Sequence, residues 1–483
     1  MAATDLYLCL DQGGHASRAI VFDGHGRMHA QAFCNVDTKR KGDRVEHDPK
    51  QLVESLWSAA HDVVTQLGSS ATRLVAAGLA TQRSSIVCWQ RDSGVALSPV
   101  ISWQDTRAAE WLDTFIHEQD RVHAITGLVM SPHYGVSKLR WCLDHLPAVR
   151  QAHARSNLVF GPLASFLVSR LTNQSHPLAD PANASRTLLY DRHTGNWSRE
   201  LLTLFDVPRE CLPESVPSRH DWGELWLENF SLPISVVTGD QSAALFAFGE
   251  PDAVTVYANL GTGAFLQQTT GSTEPDPGRL LASVVYQDEH MSSNVIEATV
   301  NGAGSAMNRI ASDLNIHTDR LKADSGKWLQ SFSGDLLFIN AVSGLGSPWW
   351  LPNIPSQFVG ADEAAASDAD RMAAVLESIA FLIAVNLEAM DTILGRPARM
   401  LVTGGIGSID PLMQRIANLV RLPIERAESI EATAKGLACL LAGLPDSWPG
   451  AQINKSFVPQ DDAGLMVRYQ RWRELMPELA TAT

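Results

Sequence analysis

The sequence predicts an α/β protein of two or three domains built on an internally duplicated plan. Three observations carry that expectation. The chain has 483 residues, 45% of them hydrophobic and 19% charged, an ordinary globular balance with material for more than one core. Ile234 to Val237 reads as a buried strand that runs into Gly239-Asp240-Gln241 and then an Ala-rich helix, Ser242 to Phe248. A strand–turn–strand unit with glycines at its turn occurs twice, at Leu6 to Phe22 and again at Val254 to Thr270, as if each half of the chain opened on the same hairpin.

Taken in order, the first unit is an apolar run (Leu6 to Leu10), the turn residues Asp11 to Arg18, a second run (Ala19 to Phe22) and a third strand from Met28 to Phe33. Asp48-Pro49 is a helix start, Asp at the N-cap and Pro at the first helical position. Leu52, Leu56, Ala60, Val63 and Leu67 follow at helical spacing. Val75 to Leu79, Ile86 to Trp89 and Val100 to Trp103 read as strands, with Arg83, Trp103 and Asp105 at their ends converging on one cleft. Gln151 to Leu232 reads as helices alternating with loops. Gly302-Ala303-Gly304 opens a helix, and Arg371 to Leu394 is the longest helix, with Met372, Val375, Ile379, Ile383, Leu387 and Met390 on one core face. Met400 to Val402 is a strand, followed by Gly404-Gly405 and a helix from Asp410-Pro411.

Chemistry is concentrated in two places. Asp240 stands on a strand-to-helix turn, the sheet edge where ligands of α/β folds commonly bind. Gly261-Thr262-Gly263 forms a turn whose backbone N–H groups can approach an anion closely. A carboxylate beside a phosphate-sized nest suits a base that activates a hydroxyl toward a phosphoryl group. Alone, the same residues would equally suit a helix N-cap and an ordinary hairpin. The net charge of −15 (38 basic against 53 acidic residues) argues against nucleic acid or an anionic membrane as partner. Six cysteines without CxxC spacing read as reduced core thiols. No signal pattern or long apolar run is evident, so the expected location is the cytoplasm. GxGxxG and the Walker pattern are absent, which supports neither a Rossmann nor a P-loop site.

Together these pieces resemble the FGGY family of carbohydrate kinases, and within it the glycerol kinases most. The carriers are LDQGGHASRAIVFD (Leu10 to Asp23), VEHDP (Val45 to Pro49), TQR (Thr81 to Arg83), ISWQDTR (Ile101 to Arg107), KLRW (Lys138 to Trp141), NASRTLLYDRHTGNW (Asn183 to Trp197), GDQSAALF (Gly239 to Phe246), GTGAF (Gly261 to Phe265), SGLGSPWW (Ser343 to Trp350) and TGG (Thr403 to Gly405). The resemblance implies an actin/hexokinase-like, ribonuclease H-like duplicated fold: an N-terminal domain over 1–245 that binds the acceptor and a C-terminal domain over 246–483 that binds the nucleotide, around a central cleft. It implies ATP and Mg²⁺ as cofactors and a small sugar or polyol as partner, with a homodimer left open. Asp240 becomes the general base and Asp11 the Mg²⁺-side carboxylate. Gly13, Gly14, His15, Ser17, Arg18, Thr262 and Gly263 would surround the phosphates, and Gly304, Asn308 and Gly405 would face the nucleoside. Arg83, Ser84, Trp103, His133, Gln241 and Phe265 match acceptor-pocket positions.

The departures are local. Gly14, His15 and Ala16 replace hydroxyl residues of the family's first phosphate turn; Ser84 replaces an acid after the substrate arginine, His133 a pocket tyrosine, and Ile409 a helix-start asparagine. Ser84 and His133 point to an acceptor larger than glycerol, of about four or five carbons, and the altered turn to a nucleotide held less firmly. The expected function is therefore ATP-dependent phosphorylation of a hydroxyl of a small ketose or polyol, glycerol included. The alternative is a catalytically weak relative that binds sugar or nucleotide as a sensor or scaffold. An actin-like chaperone or polymerising ATPase is a third class, for which no extra peptide-binding domain is present.

Overall fold

The computed structural model describes residues 5–227, 230–271, 273–360, 365–428 and 431–481. Leu6–Gln12 is the central strand of a six-stranded sheet and is buried along its whole length. Its alternation shows why. Leu6, Leu8 and Leu10 pack with Leu52, Leu56 and Ala59 of the helix Pro49–Leu67. Tyr7 and Cys9 face the other way, into a cluster with Leu437 and Cys439 of the helix Ala432–Leu441. A strand covered on both faces is apolar along its body, and the polar residues Asp11 and Gln12 are confined to its C-terminal end. The first helix starts where its sequence says it should, the Asp48 side chain accepting from the Lys50 backbone N–H.

The sheet order is Glu224–Leu227, Phe230–Gly239, Leu74–Thr81, Leu6–Gln12, Ala16–Asp23, Met28–Asn35. Its last three strands form an antiparallel meander, while Leu74–Thr81 and Phe230–Gly239 run parallel to Leu6–Gln12. The second sheet repeats this plan. Thr255–Leu260, Ala264–Gly271 and Ser292–Val300 make the meander, Arg399–Thr403 and Ile424–Ala427 run parallel, and Ile453–Phe457 closes the edge antiparallel, as Glu224–Leu227 does in the first. One further strand, Leu281–Gln287, extends the meander side. The two hairpins legible in the sequence are thus the first strands of two equivalent sheets, and the fold is the duplicated α/β plan expected.

A smaller five-stranded sheet, Lys39–Lys41, Arg44–His47, Val100–Ile101, Ile86–Gln90 and Leu158–Pro162, stands beside the first. It matters because the ends of its strands carry Ser84 and Trp103. The longest helix, Asp368–Leu394, opens on a capping box between Ser367 and Asp370. Among the described residues it is the one helix long and apolar enough to cross a membrane, and it lies buried in the core of the second sheet.

Three expectations differ in detail. The helix after Gly239 covers only Asp240–Ala244. Beyond it Phe246 and Ala247 bond three residues back, a tightening that leaves the Ala243 carbonyl against Gly436, where any Cβ would collide with it. The strand at Val100 stops at Ile101 because Ser102 turns to bond Val45 and Asp105 folds back on Ser102. The 151–232 region holds several short strands among its helices, Leu158–Pro162 and Leu178–Ala179 included.

Candidate active site

Asp240 follows Gly239, the last residue of a strand parallel to Leu74–Thr81. A Cβ at Gly239 would lie 2.5 Å from the Arg83 side chain, so glycine is what lets that guanidinium cross in front of the strand end. The Asp240 carboxylate accepts from the Gln241 N–H at 2.7 Å. Burial pushes its pKa up, against the pull of the Arg83 and Arg186 guanidiniums. Desolvation raises the proton affinity of a carboxylate so placed, as a general base requires, and the two guanidiniums oppose that rise.

Arg83 is held in place by the other sheet. Its side chain is 8% exposed, donates to Glu297 at 3.2 Å and also to Gln241. Arg186 donates to the other oxygen of Glu297 and to Ser283 at 2.6 Å, while Gln267 donates to Glu297 at 3.1 Å. Burial alone would raise the Glu297 carboxyl, but Arg186 and Arg83 hold it down to about 2. Glu297 belongs to Ser292–Val300 of the second sheet, so one carboxylate clamps two guanidiniums across the two sheets. Neither Glu297 nor Arg186 was expected as a site residue. The available signal was a lone acid inside the apolar run NVIEATV.

Trp103 and His133 lie against each other, and Lys138 ties Ser84 to His133. Ser84 takes a left-handed backbone, φ 65°. Trp103 and His133 stack obliquely at 6.2 Å, and the His133 Nδ1 bonds the Trp103 carbonyl at 2.9 Å. Desolvation pulls the His133 imidazole below its usual range, and nearby Lys138 adds to this. Lys138 is the hub: 1% exposed, it donates to the Ser84 carbonyl at 3.0 Å and the His133 carbonyl at 2.5 Å. Gln241 and Phe265 line an adjoining cavity of about 60 Å³ with Gln267 and Thr403.

The turn between Leu6–Gln12 and Ala16–Asp23 is closed by Gly13 N–H to Ala16 carbonyl, 3.0 Å. Asp11, 4% exposed, accepts from Arg18 at 3.2 Å. Desolvation and the Asp240 charge push the Asp11 carboxyl to about 7, Arg18 opposing. His15 is exposed and Gly14 half-buried. Ser17 is turned away from the cleft: fully buried, it bonds Gln12 at 2.8 Å and Ser55 at 2.6 Å, because alternation along Ala16–Asp23 sends it inward. Asp11, which feels the Asp240 charge and is tied to the Arg18 guanidinium, forms with Asp240 a donor set that fits a single divalent cation. Mg²⁺ is the kind of ion that such carboxylates hold together with water and substrate oxygens.

The second turn is built by close backbone approach. Gly261 N–H bonds the Gly263 carbonyl at 2.8 Å, and Gly304 N–H bonds the Gly261 carbonyl at 3.0 Å. A Cβ at Gly263 or Gly304 would lie 2.8 Å from a carbonyl oxygen. Gly404, at φ 91°, sits against Leu260, which brings Gly405 beside the same turn. Thr262, Gly405 and Asn308 are exposed, Asn308 on the helix Gly304–Asp313.

Comparison with known proteins agrees with this geometry. Residues 6–247 match the model of the FGGY family of carbohydrate kinases, N-terminal domain, and residues 256–443 its C-terminal domain. The chain is 37% identical over 446 residues to a glycerol kinase of Trichlorobacter lovleyi, covering 90% of this chain and 89% of the relative. It is 35% identical over 454 residues to a glycerol kinase of Methylibium petroleiphilum, covering 90% of each. A Plasmodium falciparum glycerol kinase solved with ADP superposes with a TM-score of 0.87 at 22% identity, covering 98% of both chains. A xylulose kinase of Rhodospirillum rubrum does so with 0.86 at 19%, covering 99% of this chain and 98% of the other. These two likenesses show the fold, and the sequence matches show the lineage: the chain belongs to the FGGY family of carbohydrate kinases.

Proposed function

We propose that the protein transfers the terminal phosphoryl group of ATP to a hydroxyl of a small polyol, with residues 1–245 holding the acceptor and 246–483 the nucleotide. The observation that carries this reading is the half-buried Asp240 carboxylate, which feels the Arg83 charge, with Arg83 itself held by Glu297 of the second sheet. Asp240 takes the proton as the acceptor oxygen bonds the terminal phosphorus and the bond from that phosphorus to the ADP oxygen breaks. Arg83 and Gln241 hold acceptor hydroxyls, and Trp103 and Phe265 pack on its carbons. Asp11 would hold Mg²⁺, which when bound would supply charge neutralisation at the phosphates. Nothing observed favours the alternative of a binding module without turnover.

The relatives are named glycerol kinases, which supports a polyol. Ser84 and His133 favour one longer than glycerol, because a charged acceptor is lost beside Arg83 and an imidazole stands at the second pocket position. An ADP-release assay over three- to seven-carbon polyols and ketoses tests both steps. We expect the highest kcat/KM on a four- or five-carbon polyol; glycerol at the top would overturn the acceptor assignment and leave the kinase reading intact. Asp240→Asn should cut turnover by about 10²–10⁴-fold with acceptor binding preserved. Turnover within a few-fold of wild type would remove Asp240 from the mechanism.

A further inference from the structure

Beside the first phosphate turn lies a side chain to which the reaction above gives no role. Gln82 is 3% exposed, directly after the strand Leu74–Thr81, and its backbone N–H bonds the Gln12 carbonyl at 2.9 Å. Neither Nε2 nor Oε1 of its carboxamide has a hydrogen-bond partner among the described residues. Its neighbours are satisfied: Gln12 donates to Gly13 and accepts from Ser17, and Thr81 donates to Asn183. Buried polar atoms are rarely left without partners, so a carboxamide with both ends open asks for a ligand.

Gly14 shows where that ligand would enter. A Cβ built at Gly14 would lie 3.7 Å from Gln82 Oε1 and, its chain neighbours aside, within 4 Å of no other heavy atom of the described residues. Gly14 is not in the left-handed region, so no backbone conformation requires glycine there. The glycine leaves a lane about one methyl group wide between the turn and the carboxamide.

We infer that Gln82 binds the terminal phosphoryl group of the nucleotide through the room left by Gly14. A phosphoryl oxygen occupies the position that a side chain at residue 14 would fill, and the carboxamide, turned to present Nε2, donates to it. Gln82 thereby supplies from beneath the turn a hydrogen bond that Gly14, His15 and Ala16 do not supply from hydroxyls. The inference rests on the phosphotransferase reading, and the test separates the two.

Calorimetry with the magnesium complexes of a non-hydrolysable ATP analogue and of ADP, on wild type, Gln82→Met and Gly14→Ala, decides it. Gln82→Met keeps size and removes the donor; Gly14→Ala fills the lane with a methyl group that meets nothing closer than 3.7 Å. Both variants should bind the ATP analogue about tenfold more weakly, with ADP and acceptor affinities unchanged and the KM for ATP raised. Should Gln82→Met fail to fold, Gly14→Ala decides alone. Wild-type affinity for the analogue in a folded variant, or an equal loss for ADP, would overturn the inference alone. A wild-type protein that binds neither nucleotide would overturn it together with the kinase reading.

Discussion

Glu297 shows how much a single residue organises here. It is the counter-charge of two buried guanidiniums, Arg83 and Arg186, and it reaches Arg83 from 214 positions away in the chain. Removing one partner of a buried ion pair leaves the others uncompensated, at a cost of about 3–5 kcal/mol. Glu297→Gln should lower the melting temperature clearly and raise the acceptor KM, because Arg83 loses its anchor. Calorimetric unfolding and acceptor kinetics on the variant check both; an unchanged melting point would mean the clamp is not a stabilising element. Asp240, Arg83 and Trp103 were legible in the sequence because each sits at a strand end that local pattern reveals. Glu297 was not, since its role arises only when strands of different sheets meet. Ser17 looked like a phosphate ligand by its place in the motif, yet strand alternation points its hydroxyl at Ser55.

Among elements, the loop after Leu74–Thr81 and the start of the helix Gly135–His145 form the wall of the proposed acceptor pocket, and Lys138 fastens one to the other. Burial lowers the Lys138 pKa from 10.5 to about 7, although Asp105 acts to raise it and Arg107 adds to the lowering. The folded value is the depressed one. Between about pH 7 and 10.5 the unfolded chain therefore binds the extra proton, and stability rises with pH across that window and is flat below it. Lys138→Met abolishes this contribution. The stability of wild type relative to the variant, from denaturant titrations, should climb by up to about 1.4 kcal/mol per pH unit in that window. The variant should also raise the acceptor KM about tenfold with the KM for ATP unchanged, since two hydrogen bonds to the wall are lost. A difference flat from pH 7 to 10 would show that the ammonium is solvated in solution. The sequence displayed the lysine within KLRW but gave no hint that its partners are backbone carbonyls, because such contacts carry no residue signature.

At the scale of the molecule, the repeat was visible only as two glycine-turn hairpins, whereas the structure extends it to six strands in the same order and sense. What no local pattern could show is the crossing of the helix Ala432–Leu441 onto the first sheet, where it packs on Leu6–Gln12 and on the short helix carrying Asp240. The two sheets are tied further by Thr238 to the Val285 carbonyl at 2.9 Å and by Arg219 to Tyr286 at 3.1 Å and to the Leu440 carbonyl. These ties gather around the strand end at Asp240, while the phosphate turns at Gly13 and Gly261 belong to different sheets and share no hydrogen bond among the described residues. A molecule fastened along one seam and open between its turns can close about that seam. Closure is also what the chemistry asks for, because water left beside a desolvated base would divert the phosphoryl group to hydrolysis. Small-angle scattering with a non-hydrolysable ATP analogue, Mg²⁺ and the best acceptor should therefore give a smaller radius of gyration than the free protein, and each ligand alone a smaller change. An unchanged radius at demonstrated saturation would mean that the cleft is rigid, and that the turns must grip the nucleotide without moving.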